Sequence, residues 1–211
     1  MTGRRLFVKV CGITRPEDAR LAADAGADAV GFVFWPQSPR CVDARRARDI
    51  GDTLPAEVVR VGVFVDAAPD EMALIAEEAR LDILQLHGDE PPEALPTLPR
   101  RAWKAVRVGP GFVPADALRY EGRAAGLLLD TRSAEAPGGT GRSFDWALAA
   151  GVRRRASFLI LAGGLDPLNV GAAIRAVRPD GVDVSSGVEL EPGRKDPEKV
   201  RAFLRAAREA S

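Results

Sequence analysis

The sequence is poor in the residues that do most metal, redox and covalent chemistry: 211 residues include one histidine, two cysteines, two methionines and one tyrosine. Two cysteines, Cys11 and Cys41, make no disulfide framework, and a domain of this length needs none, so the chain is read as belonging to a reducing, cytoplasmic compartment. Neither an H-x-x-x-H nor a C-x-x-C spacing occurs, which argues against a metal site. Charge of one sign is also missing. Thirty Lys and Arg balance thirty Asp and Glu, so no overall field draws the chain to nucleic acid or to an anionic membrane, and an anionic ligand has to be held by a local site. No apolar run approaches the roughly 20 residues that cross a bilayer. The arginines between Met1 and Leu6 lead into no apolar signal segment.

What is present is an alternation of short apolar runs with helical periodicity. Val8 to Val10 reads as a buried strand that delivers Cys11 to a turn, and a helix follows, with Thr14 as its expected N-cap, Pro16 in its first turn and Gly26 at its end. Further strands are read at Asp28 to Phe34, Val58 to Val65, Ile83 to Leu86, Ala102 to Val108, Gly126 to Asp130, Phe158 to Ala162 and Val182 to Val184. Between them lie helical stretches at Asp43 to Ile50, Pro69 to Ala79, Pro92 to Leu98, Ala115 to Tyr120, Phe144 to Ala150 and Pro167 to Val177. Pro197 to Glu209 closes the chain. Eight mostly apolar strands, each followed by a helix, predict an α/β fold with parallel pairing: a single (β/α)8 TIM barrel over residues 1–211. An open doubly wound sheet is the runner-up, but Cys11-Gly12-Ile13-Thr14 is no G-x-G-x-x-G fingerprint.

In a barrel, the residues with chemical potential all fall at one end. Cys11 follows the first strand, Arg40 the second, His87 the fourth and Asp130 the sixth. Gly163-Gly164 and Ser185-Ser186-Gly187 follow the seventh and eighth, where barrels often bind phosphate on free backbone N–H groups. Each residue alone has a plain explanation: a strand-end cysteine is often a small core residue, an arginine after Ser-Pro a surface charge, a Gly-Gly pair a tight turn. His87 could equally hydrogen-bond backbone. Their common location favours a site. The loop from Thr131 to Gly141 reads as a cover over the pocket, with Ser143 capping the next helix, and it lacks the Gly-Lys-Ser/Thr ending of a triphosphate loop.

The segments VKVCGITRPEDA, GFVFWPQSPRCV, LQLHGDE, LLLDTR, GGTGRSFDW, LAGGLDPLNV and VDVSSGVE follow one another at these strand ends. By them the chain resembles the phosphoribosylanthranilate isomerase family of tryptophan biosynthesis from end to end. The resemblance implies conversion of N-(5-phosphoribosyl)anthranilate into 1-(2-carboxyphenylamino)-1-deoxyribulose 5-phosphate, an Amadori rearrangement without cofactor or metal. It implies Cys11 as general base, Asp130 as general acid, Arg40 on the anthranilate carboxylate, and Gly163, Gly164, Ser186 and Gly187 on the phosphate. The partner expected is a small phosphorylated substrate, bound by a monomer or a homodimer.

Two other readings use the same residues. One is a dual-specificity sugar-phosphate isomerase serving histidine biosynthesis as well, although such enzymes resemble this chain with an aspartate where Cys11 stands. The other is a barrel that binds a phosphorylated ligand without turning it over. For catalysis, an ordinary aspartate at ~3.9 has to be raised to act as an acid, and a thiol at ~8.5 has to be lowered to act as a base. Lys9 or a nearby helix start is the expected source of the second shift.

Overall fold

The computed structural model describes residues 5–130 and 146–211. Eight strands among the described residues, β1 (Phe7–Cys11), β2 (Ala29–Val33), β3 (Val59–Phe64), β4 (Ile83–Leu86), β5 (Arg101–Arg107), β6 (Gly126–Asp130), β7 (Leu159–Ala162) and β8 (Gly181–Val184), pair in parallel in chain order. β8 returns to β1 and closes the barrel. The connecting helices are α1 (Pro16–Asp24), α2 (Ala44–Gly51), α3 (Pro69–Glu78), α4 (Pro114–Leu118), α5 (Trp146–Arg153), α6 (Val170–Val177) and α7 (Pro197–Glu209). Among the described residues no helix is long and apolar enough to cross a membrane.

Strand alternation sorts the side chains into two compartments. Val8, Val10, Val30, Phe32, Leu84, Leu127, Leu129, Leu159 and Leu161 point outward, and all are buried with the helices. Their alternate neighbours fill the barrel. At its floor Phe7 meets Trp103 and Phe158 edge-on, with ring centroids 5.7 and 6.1 Å away. Above this aromatic plug lie Ala29, Val61, Ala105, Leu128 and Ile160. At the level of these side chains the interior turns polar: Lys9, Gln85 and Asp183 are inward-facing and buried. The next inward positions, Cys11, His87 and Asp130, open on the carboxyl ends of the strands.

The structure departs from the sequence reading at several element ends, each for a local reason. Residues Pro92–Thr97 form a 3₁₀ helix, because Pro96 has no N–H and its ring obstructs the carbonyl four residues back. α6 begins at Val170 instead of Pro167. Asp166 Oδ1 accepts from the amides of Leu168 and Asn169 while Asn169 Oδ1 accepts from the Asp166 amide, and this turn takes up the first residues. The N-cap of α1 is Arg15, without a side-chain cap; Thr14 donates its hydroxyl to the Gly193 carbonyl. Beyond β8 the chain adds an antiparallel pair that the sequence did not suggest, β9 (Glu189–Glu191) and β10 (Arg194–Lys195). Gly193, at φ +83°, makes the turn between them. The expected loop Thr131 to Gly141, the Ser143 cap and the first residues of the helix expected from Phe144 lie outside the described residues.

Candidate active site

A cavity of about 350 Å³ opens at the carboxyl ends of the strands, a size suited to one small ligand. Cys11, Arg40, His87, Asp130, Gly163, Gly164, Ser186 and Gly187 all line it, so the structure gathers every site residue read from the sequence. Trp35, Gln85, Arg107 and Asp183 line it too, and the sequence reading had singled out none of these four.

The base candidate sits on a built floor. Lys9 precedes Cys11 by two residues on β1, so both side chains face inward, and Lys9 also pairs in register with Asp183 across the β1–β8 seam. Lys9 Nζ donates to Asp183 Oδ2 at 2.7 Å, with both side chains buried. It is also within hydrogen-bond reach of the Cys11 thiol. Gly31 on β2 leaves the room for this packing: a Cβ there would lie 2.7 Å from Cys11 Sγ and 2.9 Å from Lys9 Cε.

These neighbours set the charges. Burial opposes the charge on Lys9, but the Asp183 carboxylate and the Cys11 sulfur outweigh it and hold the ammonium above the ordinary lysine value. Burial raises the Asp183 carboxyl above the ordinary range and Lys9 offsets only part of that rise; the 2.7 Å contact and the favoured ammonium still support the ionised pair at neutral pH. A base role calls for a lowered thiol at Cys11, and the surroundings do the opposite. Burial pushes it up, and Lys9, with Lys195 behind it, offsets only part of that rise. Desolvation of a thiolate on an apolar strand outweighs one shared ammonium.

Across the mouth, His87 Nε2 lies 3.0 Å from Asp130 Oδ2, and Gln85 Nε2 lies 3.3 Å from His87 Nδ1. An amide NH₂ only donates, so Nδ1 accepts and neutral His87 carries its proton on Nε2, directed at Asp130. His87 therefore belongs with the acid candidate, which its place between Leu86 and Gly88 in the sequence could not reveal.

Arg40 is held otherwise than expected. Its Nε donates to Glu189 Oε1 at 2.8 Å and its Nη2 to Glu189 Oε2 at 2.5 Å. One edge of the planar fork is thus taken by protein, and a substrate carboxylate has to meet what the cavity leaves of the guanidinium. Hydrogen bonding to Glu189 keeps Arg40 above the ordinary arginine value. Glu189 Oε1 also accepts from Lys195 Nζ at 2.9 Å. Burial would raise the Glu189 carboxyl, but its bonds from Arg40 and Lys195 hold it below the usual range. Lys195 is lowered by its own burial, and it ties this group to the base strand by donating to the Cys11 carbonyl at 2.6 Å. The β9–β10 pair exists in this place to present Glu189 and Lys195 to one another.

The glycine turns have steric reasons. Gly163 and Gly164 have φ of +82° and +63°, which lets the backbone turn tightly after β7. A Cβ on Gly187 would collide with the Leu165 carbonyl oxygen, so the loops after β7 and β8 approach as closely as they do only because residue 187 lacks a side chain.

Comparison with known proteins adds to this geometry. The family model of N-(5'-phosphoribosyl)anthranilate (PRA) isomerase matches residues 8–206. An N-(5'-phosphoribosyl)anthranilate isomerase of Pseudomonas putida (strain W619) is 52% identical over 202 residues, covering 96% of this chain and 97% of that protein. A solved phosphoribosyl anthranilate isomerase in complex with reduced 1-(o-carboxyphenylamino)-1-deoxyribulose 5-phosphate superposes with a TM-score of 0.85 at 42% identity, covering 96% and 98% of the two chains. So does a structure of monomers generated from the dimeric phosphoribosylanthranilate isomerase of Thermotoga maritima, with the same TM-score, identity and coverage.

Proposed function

Since the chain belongs to the phosphoribosylanthranilate isomerase family and catalyses that family's Amadori rearrangement, we propose that Cys11 and Asp130 divide its proton transfers between them. The observation that carries this reading is the placing of a buried thiol and a histidine-linked carboxyl on one cavity, at the ends of β1 and β6. Asp130 gives its proton to the ribose ring oxygen as the anthranilate nitrogen pushes in, the bond from carbon 1 to that oxygen breaks, and an iminium forms. His87 then donates to the Asp130 carboxylate left behind. The Cys11 thiolate takes the proton from carbon 2, the electron pair of that bond neutralises the iminium, and an enolamine results. Gain of a proton at carbon 1 and loss of one from the hydroxyl on carbon 2 give the amino ketone. The proton on Cys11 returns to Asp130 through solvent.

The remaining roles follow the cavity. Arg40 meets the anthranilate carboxylate with the part of its guanidinium that Glu189 leaves free, and Gly163, Gly164, Ser186 and Gly187 offer backbone N–H groups to the phosphate. All the residues named come from one chain, so the reading holds for a monomer or for a homodimer. Cys11 and Cys41 are free thiols, which fits a reducing cytoplasmic setting.

The test is the fluorescence decay of phosphoribosylanthranilate on adding wild type, Cys11→Ser and Asp130→Asn. Both variants should lose roughly 10²-fold or more in kcat while a product analogue still binds nearly as well. Near wild-type turnover by either one would remove it from the chemistry.

A further inference from the structure

Among the described residues, two buried side-chain oxygens have no hydrogen-bond partner, Gln85 Oε1 and Asp183 Oδ1, and both residues line the cavity. Gln85 already uses its Nε2 on His87. Asp183 is fixed in place, because its other oxygen is held on Lys9 at 2.7 Å and the carboxylate is buried among the strands of the barrel. A carboxylate oxygen without a partner in the protein, on a residue that lines a binding cavity, is an acceptor for a ligand's donor. The roles proposed above leave it unused.

Lys9 fixes where that donor has to come from. Its ammonium bonds to Asp183 and acts on the Cys11 sulfur two residues along the same strand face, and both Cys11 and Asp183 line the cavity, so thiol and carboxylate flank one small region of its floor. The substrate atom that reaches Cys11 is the hydrogen on carbon 2. The polar group on that same carbon is its hydroxyl, and this is the substrate donor closest to Asp183.

We propose that Asp183 Oδ1 accepts the hydroxyl on carbon 2 of the substrate and so turns the carbon 2 hydrogen toward Cys11, with Lys9 holding base and acceptor in register. No bond is made or broken in this contact. It makes Asp183 a substrate-positioning residue and makes the 2-hydroxyl a specificity element. A phosphorylated sugar without it would enter the cavity and leave the carboxylate unpaired, which a site of buried acceptors penalises strongly. The assignment of the hydroxyl rests on the reading of Cys11 as base, whereas the existence of an unpaired acceptor in the cavity does not.

The test is a binding cycle that needs no turnover. Dissociation constants are measured for reduced 1-(o-carboxyphenylamino)-1-deoxyribulose 5-phosphate, whose carbon 2 carries a hydroxyl, and for its 2-deoxy counterpart. Wild type should prefer the hydroxylated compound by about tenfold or more. Asp183→Asn keeps an oxygen for Lys9 and turns a neutral NH₂ to the cavity, so the preference should fall several-fold. Lys9→Met with Asp183→Val removes the buried pair together, which spares the fold an unpaired charge, and should bring the preference to within about twofold. An undiminished preference in these variants, or none in wild type, overturns the proposal. Cys11→Ser, measured alongside, separates the two readings: it should abolish turnover yet keep the wild-type preference, and if it turned over normally the base assignment would fall while the hydroxyl contact stood.

Discussion

His87 Nε2 and Asp130 Oδ2 lie 3.0 Å apart at the carboxyl ends of β4 and β6, and Gln85 fixes the His87 ring from its other nitrogen. The pair links the fourth and sixth strands across the mouth of the barrel. In the proposed mechanism it gives Asp130 a partner whose hydrogen bond is worth most after the carboxyl has given up its proton.

Replacing His87 by Ala should therefore lower kcat by about 10- to 100-fold and change KM little, since the bond strengthens as charge develops on Asp130. Steady-state kinetics decide this. An equal loss in KM alone would mean that His87 binds substrate and does not serve the acid.

The raised Cys11 thiol fixes the sign of a pH effect. Only the thiolate is a base, so at neutral pH it is a minor form, and kcat/KM of the free enzyme should climb with pH, up to about tenfold per unit, until the thiol has ionised. A profile from pH 6 to 10 would show the rise in wild type and its loss in Cys11→Ser. A flat profile above pH 7 would mean that the thiol is ionised already.

Glu189→Gln should destabilise the protein by about 3 kcal/mol, because the buried Lys195 loses its counter-charge together with the partly buried Arg40. Denaturant unfolding at pH 7 measures it. The lowered Glu189 carboxyl contributes stability that is complete above the ordinary glutamate value and is lost as pH falls through its folded value. The difference between wild type and variant should accordingly narrow in acid, and a constant gap across that range would refute the charge argument.

Gly187→Ala should weaken phosphate-bearing ligands by tenfold or more, since a methyl group there forces the Leu165 loop away. Isothermal titration with a product analogue and with its dephosphorylated form separates a phosphate effect from general damage. Equal losses for both would contradict it.

Cys41→Ser should leave turnover within about twofold. Cys41 is exposed and free, and it does not line the cavity. A loss comparable to that of Cys11→Ser would overturn the division between the two cysteines.

Much of the fold was legible because strands buried on both faces are written as apolar runs, and runs such as Gly126 to Asp130 end where their strands do. The gathering of Cys11, Arg40, His87 and Asp130 followed from strand order alone. What the sequence hid was who holds whom. Glu189 and Lys195 meet through a hairpin turned by Gly193, and nothing in their spacing tells Glu189 from any surface acid. Lys9 and Asp183 did leave a trace: each is a charge flanked by valines, Val8 and Val10 in one strand, Val182 and Val184 in the other. Alternation assigns such a charge to the barrel interior, where it must have a partner. The direction of the Cys11 shift could not be read from the sequence, because Lys9 was legible and the depth of burial was not.

The bond from Lys9 to Asp183 joins residues 174 positions apart, and that from Lys195 to the Cys11 carbonyl spans 184. During synthesis the first strand leaves the ribosome long before either partner exists. Until the eighth strand arrives, Lys9 keeps its water and the Cys11 thiol is an ordinary one. Closure of the ring is therefore also the moment at which the surroundings of Lys9 and Cys11 are completed, and an unfinished chain holds no charge stranded away from water.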